Sequence, residues 1–233
     1  MVAQSTSRGL LASLPIAARL RPAVSGAQAW RWATVSTALA PLLMVGAWLA
    51  AETLQPPSYS PLYSSISGLA ALGATDRWIM TGALFLVGAC YLVTAACLPG
   101  QRASARIVLL IAGISSIGIA DSPQPVQGTN PQHLFWTSLG AVAIAIWPAF
   151  TASRSSSRPL ILRPRGAAAV TAVSVALLAW LIAETQGGSD LGLAERLVTG
   201  VQVAWPFIVI MALRNARNRE LTARVPCGRG APG

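Results

Sequence analysis

Six of the seven acidic residues in this 233-residue chain, and its only histidine, sit at one kind of junction between hydrophobic segments and loops. Glu52 closes the first segment and Asp76 precedes the second. Asp121 closes the third, and His133 opens the fourth. Glu184 closes the fifth, and Asp190 and Glu195 precede the sixth. Carboxylates at the edge of an apolar, low-dielectric region tend to have raised pKa values, which suits proton donation or cation binding. If the segments form one bundle, each hairpin delivers a carboxylate to the same layer, and these groups could converge on one polar pocket. Glu52, Asp121, Glu184 and His133 are the expected catalytic groups on this reading. Tyr59, Ser60, Ser67, Asp76, Arg77, Trp48, Trp180 and Glu195 are the expected ligand contacts. The competing reading is that charges gather at helix ends because water begins there. Asp76-Arg77 and Glu195-Arg196 would then be local interfacial anchors. Glu52 and Glu184 stand out against it, since each follows an unbroken apolar turn.

Other chemistries lack their residues. A three-ligand zinc site needs His or Cys in number, and the chain has one His and three Cys, two of them in one hydrophobic segment. Neither a Gly-rich phosphate loop nor a Gly-x-Ser-x-Gly elbow occurs. Ser64 or Ser67 with His133 and Asp121 would make a nucleophilic triad, but nothing in their spacing demands it. Cys90 and Cys97 lie seven apart on one helical face, as packing residues do, and with Cys227 they make no case for a disulfide. No metal or cofactor is implied.

The elements that must position these groups are membrane spans. The chain is 54% hydrophobic and 10% charged, too little polar surface to cover a water-soluble fold of this size. Six stretches reach the roughly 17–20 apolar residues a bilayer requires: about 32–54, 78–98, 103–120, 134–150, 167–183 and 197–213. The third is the weakest and needs Arg106 to snorkel to the surface. Trp30, Trp32 and Trp147 fall at one set of span ends, and Trp48, Trp78, Trp136 and Trp180 at the other, as an aromatic belt would place them. Trp205 lies mid-span beside Pro206, where a kink is expected. The fold class that follows is all-α, a six-transmembrane-helix bundle.

Arginine sets the expected orientation. Fifteen of the seventeen arginines lie on alternate loops and both termini, leaving only Arg77 and Arg196 among the acids. That alternation places both termini in the cytoplasm of a multi-pass plasma-membrane protein. The net charge of +10 is then topology and contact with anionic lipids at the inner face, not a nucleic-acid surface. Residues 1–29 form a basic cytoplasmic segment, 30–213 the membrane domain and 214–233 a basic cytoplasmic tail. Residues 8–20 suit a short surface helix, and Arg19 and Arg21 interrupt the apolar run too early for a signal peptide. The Gly, Pro and Arg content of 215–233 fits a mobile tail. A faint echo joins Ala47–Thr53 to Ala179–Thr185 and Asp76-Arg77 to Glu195-Arg196, which would make the first and last hairpins a parallel repeat.

The loop between the first two spans is the most distinctive stretch. It runs from Pro57-Ser58-Tyr59-Ser60 through Ile66-Ser67-Gly68-Leu69 to Arg77-Trp78-Ile79-Met80-Thr81-Gly82. With Gly118–Pro123, His133 and Trp147-Pro148, it resembles the bacterial and archaeal DUF998 family over about residues 33–213. Asp121-Ser122-Pro123 departs a little from the family's Ala-Pro or Phe-Pro at that point. The resemblance implies a six-helix integral membrane protein and draws attention to Tyr59, Ser60, Ile66, Ser67, Arg77 and His133. It implies no settled activity.

Three functions are compatible with these residues. The first is an outward-facing acidic pocket that binds a lipophilic, isoprenoid or lipid-like molecule and transforms it by carboxylate acid/base chemistry, as a terpene cyclase would. The second is a small-molecule transporter or export accessory protein. The third is a non-catalytic partner in a membrane complex whose protein partners the sequence does not name.

Overall fold

A computed structural model describes residues 26–224, and among these the fold is all-α, with six helices long and apolar enough to cross a membrane. They are α1 (Gly26–Glu52), α2 (Trp78–Cys97), α3 (Ala103–Asp121), α4 (Pro131–Phe150), α5 (Pro164–Glu184) and α6 (Leu191–Arg224). Two single 3₁₀ turns, Ser67–Ala70 and Leu160–Leu162, interrupt the loops. In hydrocarbon no water can satisfy backbone groups, so apolar segments of this length become helices. The surface helix expected over 8–20 and Cys227 lie outside the described residues.

The expected spans coincide with α2, α3, α4 and α5 to within three residues, but α1 and α6 each begin six residues earlier. The α4 start is a capping effect. The Asn130 side chain accepts a hydrogen bond from the Gln132 backbone N–H at 3.0 Å, and Pro131 occupies the first helical position. α6 departs most, running for 34 residues, or roughly 50 Å at 1.5 Å each. The stretch Arg214–Arg224, expected as a mobile tail, is helical, because its Ala, Leu, Arg and Glu are strong helix formers.

Each helix packs on its neighbours in sequence, and α6 returns to α1, so the six close into a ring. The tightest crossing is between α2 and α3. A Cβ added to Gly88 would stand 2.7 Å from the Gly113 carbonyl oxygen, so the two backbones touch there. Small residues at such crossings replace the hydrophobic drive that lipid does not supply. Hydroxyls add buried links: Ser36 and Thr94 join α1 to α2 at 2.7 Å, and Ser116 donates to the Leu84 carbonyl at 2.7 Å. α5 is the exception, with almost all its side chains facing outward.

Arg106 does not hang free at the surface. Its guanidinium donates to the Ala95, Ala96 and Leu98 carbonyls, satisfying the orphan acceptors at the end of α2. The tryptophans also divide. Trp32 and Trp78 are exposed as belt residues. Trp147, by contrast, is fully buried and donates to the Ala105 carbonyl at 2.8 Å, and Trp48 is buried where α1 meets α6. These two are packing residues, because the helix faces that carry them turn inward.

Gly88→Ala should therefore destabilise the bundle by about 1–3 kcal/mol, the usual cost of overpacking. Gly46→Ala, where an added Cβ meets nothing within 4 Å, should be neutral. Unfolding in detergent micelles measures the difference.

Candidate functional site

The acid-bearing end of the ring is organised by two adjacent residues in the first turns of α6. Glu195 turns to the long loop between α1 and α2. Its carboxylate accepts hydrogen bonds from the Ile66 N–H at 2.7 Å, the Ser67 N–H at 3.2 Å and the Ser67 hydroxyl at 2.6 Å. This works as a cap for the 3₁₀ turn that begins at Ser67, whose first N–H groups have no helical partner. Leu69 and Ala70 of that turn are buried against the bundle.

Arg196 turns the other way. One terminal nitrogen donates to the carbonyls of Pro61 at 2.6 Å, Ser64 at 3.0 Å and Gly192 at 3.0 Å. The other donates to the Glu52 carboxylate at 3.0 Å and the Tyr59 hydroxyl oxygen at 2.7 Å. Only 14% of the Arg196 side chain and 16% of the Glu52 side chain meet solvent, so the pair is largely shielded from screening. Burial pushes the Tyr59 phenol above its usual value although Arg196 pulls it back, so it stays neutral at physiological pH. Gly192 lets the loop approach, since an added Cβ would lie 2.4 Å from the Pro61 carbonyl oxygen. The Leu193 N–H completes the seam by donating to the Leu62 carbonyl at 3.1 Å.

Beneath this clamp lies a cavity of about 130 Å³, walled by every helix except α5. Met44, Met80, Leu84, Val87 and Ile144 supply apolar walls. Ser67 and Glu195 lie at its mouth, and Tyr91, Ser116, Thr137 and Gln202 line it further in. Thr137 Oγ1 is buried without a hydrogen-bond partner among the described residues. Gln202 is occupied, donating to the Ala141 carbonyl at 3.3 Å.

Of the residues singled out in the sequence, the structure gathers Glu52 and Tyr59 around Arg196 and Ser67 around the neighbouring Glu195, with Ser60 in the adjoining turn, where its N–H donates to the Ser64 hydroxyl at 3.3 Å. Only Ser67 and Glu195 of that set line the cavity. The others are elsewhere. Glu184 accepts from the Trp180 indole at 3.0 Å and from the Asp190 N–H at 2.8 Å, stitching the turn between α5 and α6. Asp121 is exposed in a separate groove beside Pro131 and Trp136. Asp76 is exposed with φ at 48°, a left-handed turn into α2, while Arg77 stacks on the Trp78 ring at 3.9 Å. His133 is 2% exposed, and its Nδ1 bonds the Ser122 carbonyl at 2.8 Å. That carbonyl can only accept, so Nδ1 carries a proton, and Nε2 is buried with no partner among the described residues. Asp121 does not orient His133, and Ser67 is held by Glu195, so the triad geometry is not formed.

Sequence reading took Arg196 only as a local interfacial anchor and passed over the mid-span lining residues. Gln202 was the available signal, as an amide within a span rarely faces lipid. The echo between hairpins does not extend to bonding: Glu52 reaches across the ring to Arg196, whereas Glu184 bonds locally.

A protein-family comparison matches residues 38–212 to DUF998, described as a protein of unknown function, and the chain belongs to that family. No curated protein and no solved structure matches. The loop that Glu195 and Arg196 hold lies within the matched residues.

Removing one partner of a shielded ion pair leaves the other uncompensated, so Arg196→Gln should cost about 3 kcal/mol. It should also expose the Tyr59–Ser67 amides to hydrogen exchange. Tyr59→Phe should cost about 1 kcal/mol, one hydrogen bond. A Glu52→Gln, Arg196→Gln double-mutant cycle followed by exchange mass spectrometry measures the coupling; strict additivity would contradict a direct bond.

Proposed function

We propose that this DUF998 member binds a small lipophilic molecule, or the end of a longer one, in the cavity beneath the Glu195–Arg196 clamp. The supporting observation is the cavity's composition: apolar walls from five helices, a few convergent polar groups, and one buried hydroxyl, Thr137, awaiting a partner. Ligand sites in helical proteins have this character. A dry cavity of comparable size in another protein takes up benzene. About 130 Å³ thus suits a ring of that size or one five-carbon prenyl unit, with a hydroxyl or carbonyl placed toward Thr137.

Binding is favoured over carboxylate acid/base chemistry. Glu195, the one carboxylate lining the cavity, spends its oxygens on three hydrogen bonds to the loop, and Glu52 is paired with Arg196. A cyclase would need a cleft for a whole isoprenoid chain, several times this volume. The loop above the cavity acts as its cover, and release of the clamp is the route by which a ligand enters.

In the same reading the arginine-bearing end lies in the cytoplasm of the cell membrane and the cavity opens outward. The support is charge: around the described spans the arginines gather at one end and the acids at the other.

Two experiments test this. A short prenyl alcohol carrying a photoactivatable diazirine should label cavity residues of α2, α4 or α6. Ala141→Phe, which fills the cavity, should reduce labelling at least about 10-fold with little change in melting temperature; unchanged labelling would sink the binding reading. In a cysteine-free background, a membrane-impermeant maleimide should label Thr53→Cys in intact cells and Ser156→Cys only after lysis. The reverse pattern would overturn the orientation.

A further inference from the structure

The opposite end of the ring holds a second groove, of about 310 Å³, between the start of α1 and the extension of α6. Residues at positions 27, 30, 31 and 34 of α1 face residues at 214, 217, 218 and 221 of α6. Both sets have the i, i+3, i+4, i+7 spacing of one helical face. Arg31, Arg214 and Arg217 thus meet in one groove, with Asn218 beside them and Leu221 at its edge. The Arg217 guanidinium lies over the Trp30 ring, 5.3 Å from its centroid.

Among the described residues, most of the other arginines fall into two kinds. Arg106, Arg158, Arg163 and Arg196 spend their guanidinium groups on carbonyls or carboxylates of the chain itself. Arg102, Arg154 and Arg165 have no such bond among the described residues; Arg102 precedes α3, Arg154 follows α4 and Arg165 lies in the first turn of α5. Arg31 and Arg214 also lack one, yet they share a groove with Arg217. Glu220, the one acid at this end, lines a different groove with Arg158 and Arg219. Three like charges gathered without a counter-charge among the described residues repel one another, and an anion in their midst removes that repulsion. Arginine forks match phosphate oxygens in pairs.

We infer that this groove binds the phosphate headgroup of an anionic membrane lipid, separately from the ligand cavity at the other end. Phosphate chemistry alone would admit a soluble anion as well. Lipid is favoured by position: the groove adjoins the ends of two apolar spans, beside the exposed belt residue Trp32. Its walls also include Trp30 and Leu221, apolar surface that a glycerol backbone can cover and a free ion cannot.

The test uses the full chain in detergent, with short-chain phosphatidylglycerol, phosphatidylcholine or inorganic phosphate as the probe. Native mass spectrometry reads stoichiometry and affinity, and thermal unfolding reads stabilisation. One phosphatidylglycerol should bind in preference to phosphatidylcholine. Arg31→Gln, Arg214→Gln and Arg217→Gln together should weaken it on the order of 100-fold, as expected for three cations acting jointly. The control removes equal charge at the same end through Arg102→Gln, Arg154→Gln and Arg165→Gln, and should keep the site within about 3-fold. Equal losses in the two triple variants would reduce the effect to diffuse surface charge and overturn the inference. Stabilisation by inorganic phosphate matching that by the lipid would overturn the lipid assignment. Failure at this groove leaves the ligand cavity untouched, because none of its lining residues is shared.

Discussion

The Arg196 guanidinium is the bond on which the acid-bearing end depends. It ties the end of α1 through Glu52, the loop through Tyr59, Pro61 and Ser64, and its own helix through Gly192. A ring of six helices has one closure between non-consecutive elements, and here that closure joins α6 to α1. Apolar packing between helices is weakly directional in lipid, so a polar bond at the rim sets the register of the joint. Glu195, one residue earlier, faces about 100° around the helix and therefore serves the loop instead of the closure.

This arrangement changes what the acids mean. Carboxylates gathered at one end of a bundle suggest chemistry when read as a layer. In the fold half of them are committed: Glu52 to a guanidinium, Glu184 to a turn, Glu195 to a 3₁₀ start. The membrane explains this. Backbone groups in loops over an apolar bundle have little water to bond, and an orphaned N–H is costly, so side-chain charges near the interface are drawn into capping. Among the described residues, the hydroxyl of Thr137 in the small cavity below and the buried Nε2 of His133 are among the polar atoms left without a partner.

The two ends differ in how they use their charge. At the acid-bearing end the charges face inward, toward loop and helix termini. At the arginine-bearing end some cations cap carbonyls, as Arg106 does for α2, and others stand in grooves with no carbonyl or carboxylate partner among the described residues. The long α6 joins both regimes, with the clamp in its first turns and the basic stripe in its last.

Sequence by itself determined the class, the number of helices and the placement of most spans, because hydropathy over some twenty residues is a local quantity that hydrocarbon enforces on each segment separately. It also marked the Tyr59–Ser67 loop and the acid-rich layer through residue types alone. It misjudged the start of α1 and both ends of α6, where strong helix formers carry the last helix past the apolar run. It could not decide which acids meet. Glu52 finds Arg196, 144 positions away, while Asp121 faces solvent and His133 turns to a carbonyl. Those outcomes depend on how each helix is rotated about its axis, and rotation is set by side-chain packing between helices distant in the chain. Trp48 and Trp147 make the same point, since a span-end position looks identical in sequence whether it faces lipid or the core. Tertiary packing alone made one charged residue a clamp and another a solvated surface group.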